Sequence, residues 1–463
     1  MKTFKLKIKV LIKEACLASL FACCSNFTDV DLPSSQLTSG AVFENKATAD
    51  AAMVDIYSKI RDKGFLTGYP TGLSRQLGLY GDELQYYGGS GTAQDNFYQN
   101  SLLATGPEIS ELWNSGYNQI YAANSVIKGV SGSVSLSASD AEQLTGEALF
   151  VRAMIHFYLV NAFGAIPFVT ETDYKKNSTL YKTPENAAYK LIKADMEQAA
   201  KLLPVNYVVS DRVRPNRAAA QAMLARICLY MELWEEAANY ASAVINQKEL
   251  YTWPVPLNVV FLKDSRSTIW QLMPVTAGRN TYEGNSNIFT QGPPPTAAIS
   301  SELLNAFSSK DQRKTQWIKA VSTGGTTWYH PYKYKQQSST VASMEYSIVL
   351  RLSEQYLIRA EARAHYGDLI GAKEDVNKIR NQAGLDNTDA LTSSEIIDAV
   401  LAERRLELFT EHGHRFFDLK RTGKLNVVLS PVKPQWKNTN SQLPLPESEL
   451  LLNPNLNPQN EGY

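Results

Sequence analysis

The feature that most restricts what this chain can fold into is a pair of helical segments that coincide when one is shifted by 135 residues. Ala225 then falls on Ala360, Ala237 on Ala372 and Val244 on Ile379. In each copy an apolar-periodic helix ends in a tight turn, at 231–234 and again at 366–369. A small alanine early in the next helix lets the two axes approach closely. Such a helix pair cannot bury both of its faces alone, so it must stack on neighbours.

That is the logic of tetratricopeptide repeats, with the copies dispersed by long intervening segments. From Phe43 onward helical periodicity dominates, and helices are expected at 47–61, 108–129, 138–163, 184–202, 216–231, 234–247, 300–307, 350–366, 369–383 and 393–411. Gly/Pro/Ser/Thr-rich stretches interrupt them at about 64–106, 204–216, 251–300 and 321–345. The expected fold is therefore dominated by α-helix. Tetratricopeptide-like pairs form a scaffold, decorated by long irregular loops and a few short strands. A regular solenoid is less expected than a helical core with excursions.

Lys plus Arg and Asp plus Glu each total 46, so the formal charge is zero. No global field draws in a polyanion, and a nucleic-acid partner is not expected. The N-terminus is the exception to this evenness. Lys2, Lys5, Lys7, Lys9 and Lys13 precede an apolar stretch from Ala15 to Ala22 that is too short to span a bilayer. Leu20, Phe21, Ala22 and Cys23 resemble a bacterial lipobox, in which the cysteine is lipidated, although Cys24 is adjacent. The reading is a signal peptide over 1–22, a lipid anchor and tether over 23–40, and a helical domain over 41–463. Asp29 and Asp31 resemble the acidic export tag of some surface lipoproteins. Beyond Cys16, Cys23 and Cys24 the sequence has only Cys228, which sits in an apolar helical pattern, so neither a disulfide framework nor a cysteine metal site is expected.

Two C-terminal stretches are distinctive. One contains Arg351, Leu352, Ser353, Glu354, Tyr356, Leu357, Ala360, Glu361 and Ala362; the other runs from Glu403 through Arg404, Glu407, Phe409, Glu411, Arg415, Phe416 and Asp418 to Arg421. With the run Gly146 to Ala153, then Tyr158, Gly164 and Pro167, and the closing Pro444, Pro446, Asn453, Pro454, Asn460, Gly462 and Tyr463, they resemble the SusD/RagB family of outer-membrane nutrient-binding lipoproteins. The resemblance implies a lipid-anchored protein of the outer membrane, facing the cell exterior. It would bind oligosaccharides or polysaccharides and deliver them to a SusC-like TonB-dependent barrel, with no catalysis and no cofactor. Peptide cargo of the RagB type and a helical protein-docking scaffold are the alternatives.

Within the second stretch, Glu407 and Glu411 fall one helical turn apart, as an acid/base pair would, but Arg404 and Arg415 are close enough in sequence to hold them ionised in structural salt bridges. His412, Gly413 and His414 lack the spacing of a helical zinc site, so no metal is expected.

A glycan site needs flat aromatic faces and polar hydrogen-bonding groups, which loops supply best. The segment 81–99 offers Asp82, Glu83, Tyr86, Tyr87, Asn96 and Tyr98, and the resemblance implies that an Asp-Glu pair here feeds the ligand surface. Tyr282 and Trp328, the latter beside Gly324 and Gly325, complete the expected ligand-binding set. Trp113, Tyr117 and Asn124 lie on a periodic helix and read as core. A glycosidase using Asp82 and Glu83, or Asp95, is the competing enzymatic reading.

Overall fold

The computed structural model describes residues 41–66 and 68–463. The leader, Cys23 and the tether lie outside the described residues. The scaffold helices are α1 (Lys46–Lys63), α2 (Pro107–Gly132), α3 (Ala138–Phe163), α4 (Glu185–Leu202), α5 (Arg217–Tyr230), α6 (Trp234–Ile245), α7 (Leu352–Tyr366), α8 (Leu369–Gln382) and α9 (Ser393–Glu407). Side chains in the sequence set their starts. Asn45, Ser137 and Asn216 each accept a backbone N–H as N-caps, and Thr392 with Glu395 forms a capping box at α9.

Each helix packs on the next in chain order from α1 to α9. The two repeat copies are therefore adjacent in space, with α6 against α7, and the stack is continuous. The seam is made of small residues: Ala225, Cys228, Ala237, Ala238, Ala241, Ile358 and Ala362 form one buried cluster. Trp234 stacks on His365 across it at 3.7 Å. Continuity survives a long excursion because strand β2 (Thr268–Leu272) pairs antiparallel with β6 (Ser347–Arg351), and β6 runs directly into α7. The chain thus leaves the stack after α6 and is returned in register.

The excursion also holds β3 (Ala297–Ile299) and the hairpin of β4 (Ile318–Thr323) and β5 (Thr326–Pro331). Strand β1 (Leu84–Tyr86), from the segment between α1 and α2, crosses to pair with β3, with Tyr86 opposite Ala297. The segment expected as loop around 64–106 contains helices Leu73–Tyr80 and Ala93–Tyr98 as well as β1. Two helix boundaries differ from expectation. Only Ser301–Leu304 is helical in the 300–307 window, and α9 stops at Glu407, because Thr410 and His412 take positive φ values of 54° and 47°. Glu411 is therefore not on the same helix as Glu407. Among the described residues no helix is long and apolar enough to cross a membrane.

The alanine seam has no room for larger side chains. Ala237→Leu is expected to destabilise the fold by about 1–3 kcal/mol through overpacking, read as a lowered denaturant midpoint with an unchanged slope.

Candidate functional site

Asp82 and Glu83 open the segment that leads into β1, and neither faces solvent. Arg415 donates to both oxygens of Asp82, at 2.9 Å each, and Arg405 adds a third hydrogen bond at 2.8 Å. Burial alone would raise the Asp82 pKa, but the two guanidinium groups hold it below the usual carboxylate range. Glu83 accepts the Thr410 N–H at 3.2 Å, and burial beside the Asp82 charge pushes its pKa up to about 8. The expectation that these carboxylates contact ligand is corrected: they anchor β1 to the segment after α9.

What they anchor is aromatic. The Tyr86 hydroxyl hydrogen-bonds Thr92 at 2.6 Å, which folds the glycine-rich bend back on itself. Tyr87 continues the strand, its N–H donating to Thr296 O at 2.8 Å, and it leaves 37% of its surface exposed. Trp328 reaches the same place from β5. Its ring lies against Gly292 so closely that a Cβ there would fall 2.1 Å from it, and its far wall is Phe289, Ala298 and Val321. The turn that presents it is the two-residue Gly324–Gly325 loop, both residues at positive φ, as a tight β-hairpin requires. The Trp328 indole is close enough to the Tyr87 hydroxyl to oppose the rise that burial causes in its pKa.

Tyr98 completes the group. Its ring lies 6.4 Å from that of Tyr86 and 4.0 Å from the Lys433 ammonium, which donates to the Tyr98 carbonyl at 3.1 Å. Burial pulls the Lys433 pKa down to about 7. Burial likewise raises Tyr98 and Tyr87 above the ordinary tyrosine value, Tyr98 further through the nearby Glu302, so both phenols are neutral at physiological pH. Asn96 donates to Glu108 at 2.9 Å and buttresses the loop against α2.

Tyr86, Tyr87, Tyr98 and Trp328 thus converge on the β1–β3–β5 edge. Tyr282 does not join them: it packs edge-on to Tyr69 at 5.5 Å, above a separate cleft. Sequence reasoning missed the residue that ties the two places together. Arg75 is buried on Leu73–Tyr80 and donates to Gln94 at 3.0 Å, to Asn287 at 2.7 Å and to Thr296. It makes no ion pair with a carboxylate among the described residues, and its only sequence signal was the short helix hidden in an expected loop.

The Glu407 and Glu411 carboxylates are structural, but their partners differ from those expected. Arg351 bridges both, and Lys333 and Arg313 supply the remaining cations. Arg404 instead pairs with Asp418 at 2.8 Å, and Arg415 with Asp82. His412 and His414 are buried with pKa values lowered by desolvation, and the His412 ring hydrogen-bonds Ile348 O at 2.9 Å. Among the described residues no group of three or more His, Cys, Asp or Glu side chains is placed to hold a metal. Trp113 packs on Phe163, and Asn124 is held by Arg152, inside the core.

Comparison with known proteins fits this arrangement. Residues 90–229 match a family model described as starch-binding associating with outer membrane, and residues 305–463 match that of the SusD family. The chain belongs to the SusD/RagB family. It is 26% identical to SusD-like protein P2 of Formosa agariphila, over 91% of this chain and 93% of that one. SusD-like protein P25 of the same organism is 23% identical over 96% and 98%. Among solved folds, a SusD superfamily protein from Bacteroides vulgatus has a TM-score of 0.79 at 20% identity, covering 91% of this chain and all of that one. A laminarin-binding SusD-like protein has a TM-score of 0.74 at 23% identity, covering 90% of this chain and 100% of that one.

The raised Glu83 pKa has a pH signature. An unfolded glutamate titrates near 4.5 and the folded one near 8, so the stability it contributes is complete below pH 4.5 and is lost as pH rises to about 8. Glu83→Gln removes that dependence. Relative to wild type, the variant should gain stability steadily between pH 4.5 and 8, by roughly a few kcal/mol in all, and stay level above that. Denaturant midpoints across pH measure it, and a constant offset would exclude the protonated carboxyl.

Proposed function

We propose that this SusD/RagB protein captures a glycan on the Tyr86, Tyr87, Tyr98 and Trp328 platform, without catalysis. The observation that supports the reading is the convergence of these partly exposed rings, fixed from behind, with the Tyr87 and Tyr98 phenols held neutral by burial. A pyranose presents C–H groups on its face and hydroxyls at its rim, which suits an aromatic ring flanked by polar groups. Laminarin binding by a protein of similar fold favours glycan over peptide cargo.

A glycosidase needs two carboxyl groups facing one bond. Asp82 is locked between arginines and Glu83 is buried on Thr410, so this acidic pair does not face the platform. In the same reading Cys23 carries the lipid, the protein is held at the outer membrane facing outward, and a SusC-like TonB-dependent barrel receives the glycan. The family and its outer-membrane association support this placement.

Titration of the folded chain with laminarin and with other plant, fungal and host polysaccharides tests it. Saturable binding without release of products is expected. Tyr87→Ala and Trp328→Ala should each weaken it by roughly tenfold, the order of one buried aromatic contact, with thermal melts confirming that both variants fold. Product release would replace capture with hydrolysis. Binding only to peptides would move the cargo to that class.

A further inference from the structure

The cleft beneath Tyr282 has a volume of about 320 Å³ and lies between the 279–281 turn, the 337–339 stretch and the end of α1 at Arg61. Most of its polar groups are occupied in building it. The Asn280 amide donates to Ser338 O at 3.1 Å and to Thr340 at 3.0 Å while accepting the Met344 N–H at 2.8 Å. Asn285 donates to Gln337 O at 3.1 Å. These bonds fix the walls and leave few groups for a ligand.

Two arginines are different. Arg61 is 7% exposed, yet it lines the cleft. A fork to Asp62, at 2.7 Å on each arm, and a bond to Met273 O at 2.6 Å use three of its five N–H groups. Arg279 is exposed and makes no ion pair among the described residues. The Tyr282 hydroxyl lies within the fields of Asp62 and of both arginines. Of the groups packed around it, Asp62 balances Arg61. Glu283 is buried on Ser347 at 2.7 Å, and burial pushes its pKa up to about 7, so it contributes at most part of a charge. The positive charge of Arg279 is left without a matched opposite charge. Beside it, Tyr69 and Tyr282 supply an apolar corner.

We infer that this cleft is a second subsite, selective for a sugar residue that bears an oxyanion, either a uronate carboxylate or a sulfate ester. Arg279 meets the anion, Arg61 offers its remaining N–H groups, and the tyrosine pair covers the ring. A neutral sugar would gain the aromatic contact but no charge-assisted hydrogen bond. The inference rests on the glycan-capture reading and adds to it a class of ligand. Because Arg75 joins Asn287, at the end of the short helix Tyr282–Asn287, to Gln94 and Thr296 beside the platform, one polysaccharide chain could be held at both places.

Calorimetric titration of the whole folded chain with three oligosaccharides of equal length, a neutral glucan, a hexuronate and a sulfated glucan, tests it at low and high salt. One of the anionic ligands is expected to bind about tenfold or more tightly than the neutral one, with the advantage shrinking at high salt. The preferred anion identifies the carboxylate or the sulfate. Arg279→Gln should abolish that advantage and leave the neutral glucan affinity unchanged. Equal affinity for all three ligands, or a preference that survives Arg279→Gln, would overturn the subsite while leaving the platform intact. Anionic binding that requires Arg279 but not Tyr87 or Trp328 would uphold the cleft and remove the platform. Absence of binding to all three would remove both.

Discussion

The arrangement depends on one group of buried charges. The Arg351 guanidinium lies between the Glu407 and Glu411 carboxylates, bonded to Glu411 at 2.9 Å through two nitrogens and to the Glu407 carbonyl at 2.7 Å. Lys333 donates to the Glu407 and Phe409 carbonyls, each at 2.8 Å, and to Glu411. Arg313 adds Asp311 and Glu403, both at 2.8 Å. Burial would raise both glutamates, but the cations hold them ionised. Taking so many charges out of water is costly, and such a network adds little net stability over an apolar equivalent. What it does is restrict the alternatives. Any shift of the excursion against α9 would strand a charge without its partner, a loss of about 3–5 kcal/mol.

That restriction reaches the platform through a short path. Strand β6 carries Arg351 at its end and hands the chain to α7; the loop after α9 carries Glu411 and, one residue before it, Thr410. Thr410 and Arg415 in turn grip Glu83 and Asp82, which precede β1. The platform strand is thus positioned by the same segment that closes the helical stack. The stack itself contributes rigidity: its alanine seam allows close helix contact, and a continuous line of packed helices gives the excursion a fixed floor.

The helical scaffold was legible because it is local. Periodicity and small residues place α1 to α9 within a few residues of where they stand, and the shifted repeat identifies the α5–α6 and α7–α8 pairs. Sequence could not show that those pairs touch, since that contact depends on β2 meeting β6 across the excursion. The Asp82–Glu83 pair shows the complementary failure. Two acids beside tyrosines read as ligand groups, and only the fold shows that Arg405 and Arg415, more than 300 residues later, consume one of them. The same applies to Glu407 and Glu411, whose arginine came from Arg351 rather than from the arginines near them in sequence. Tyr87 and Trp328 were identifiable as aromatic loop residues, but their meeting rests on the β1–β3 pairing and the contact of β3 with β5. Tyr282 carries the same local signal and stands elsewhere.

The way the platform rings are held bears on how such a surface can work. Trp328 is pressed on Gly292 and packed on Phe289, Ala298 and Val321, Tyr86 is tied to Thr92, and Tyr98 rests on Lys433. Their rotamers are settled when the chain folds, so a glycan bound there as proposed would meet rings that need no ordering, and the cost of about 0.5–1.5 kcal/mol for each immobilised side chain would be absent from binding. A preformed surface of this kind gains selectivity from its shape without needing great affinity. Each ring offers a modest contact, and a polymer that touches several is retained by their number. A polymer held through many modest contacts can also be released one contact at a time. That property suits the proposed capture and hand-over, and a deep pocket enclosing a single residue would not provide it.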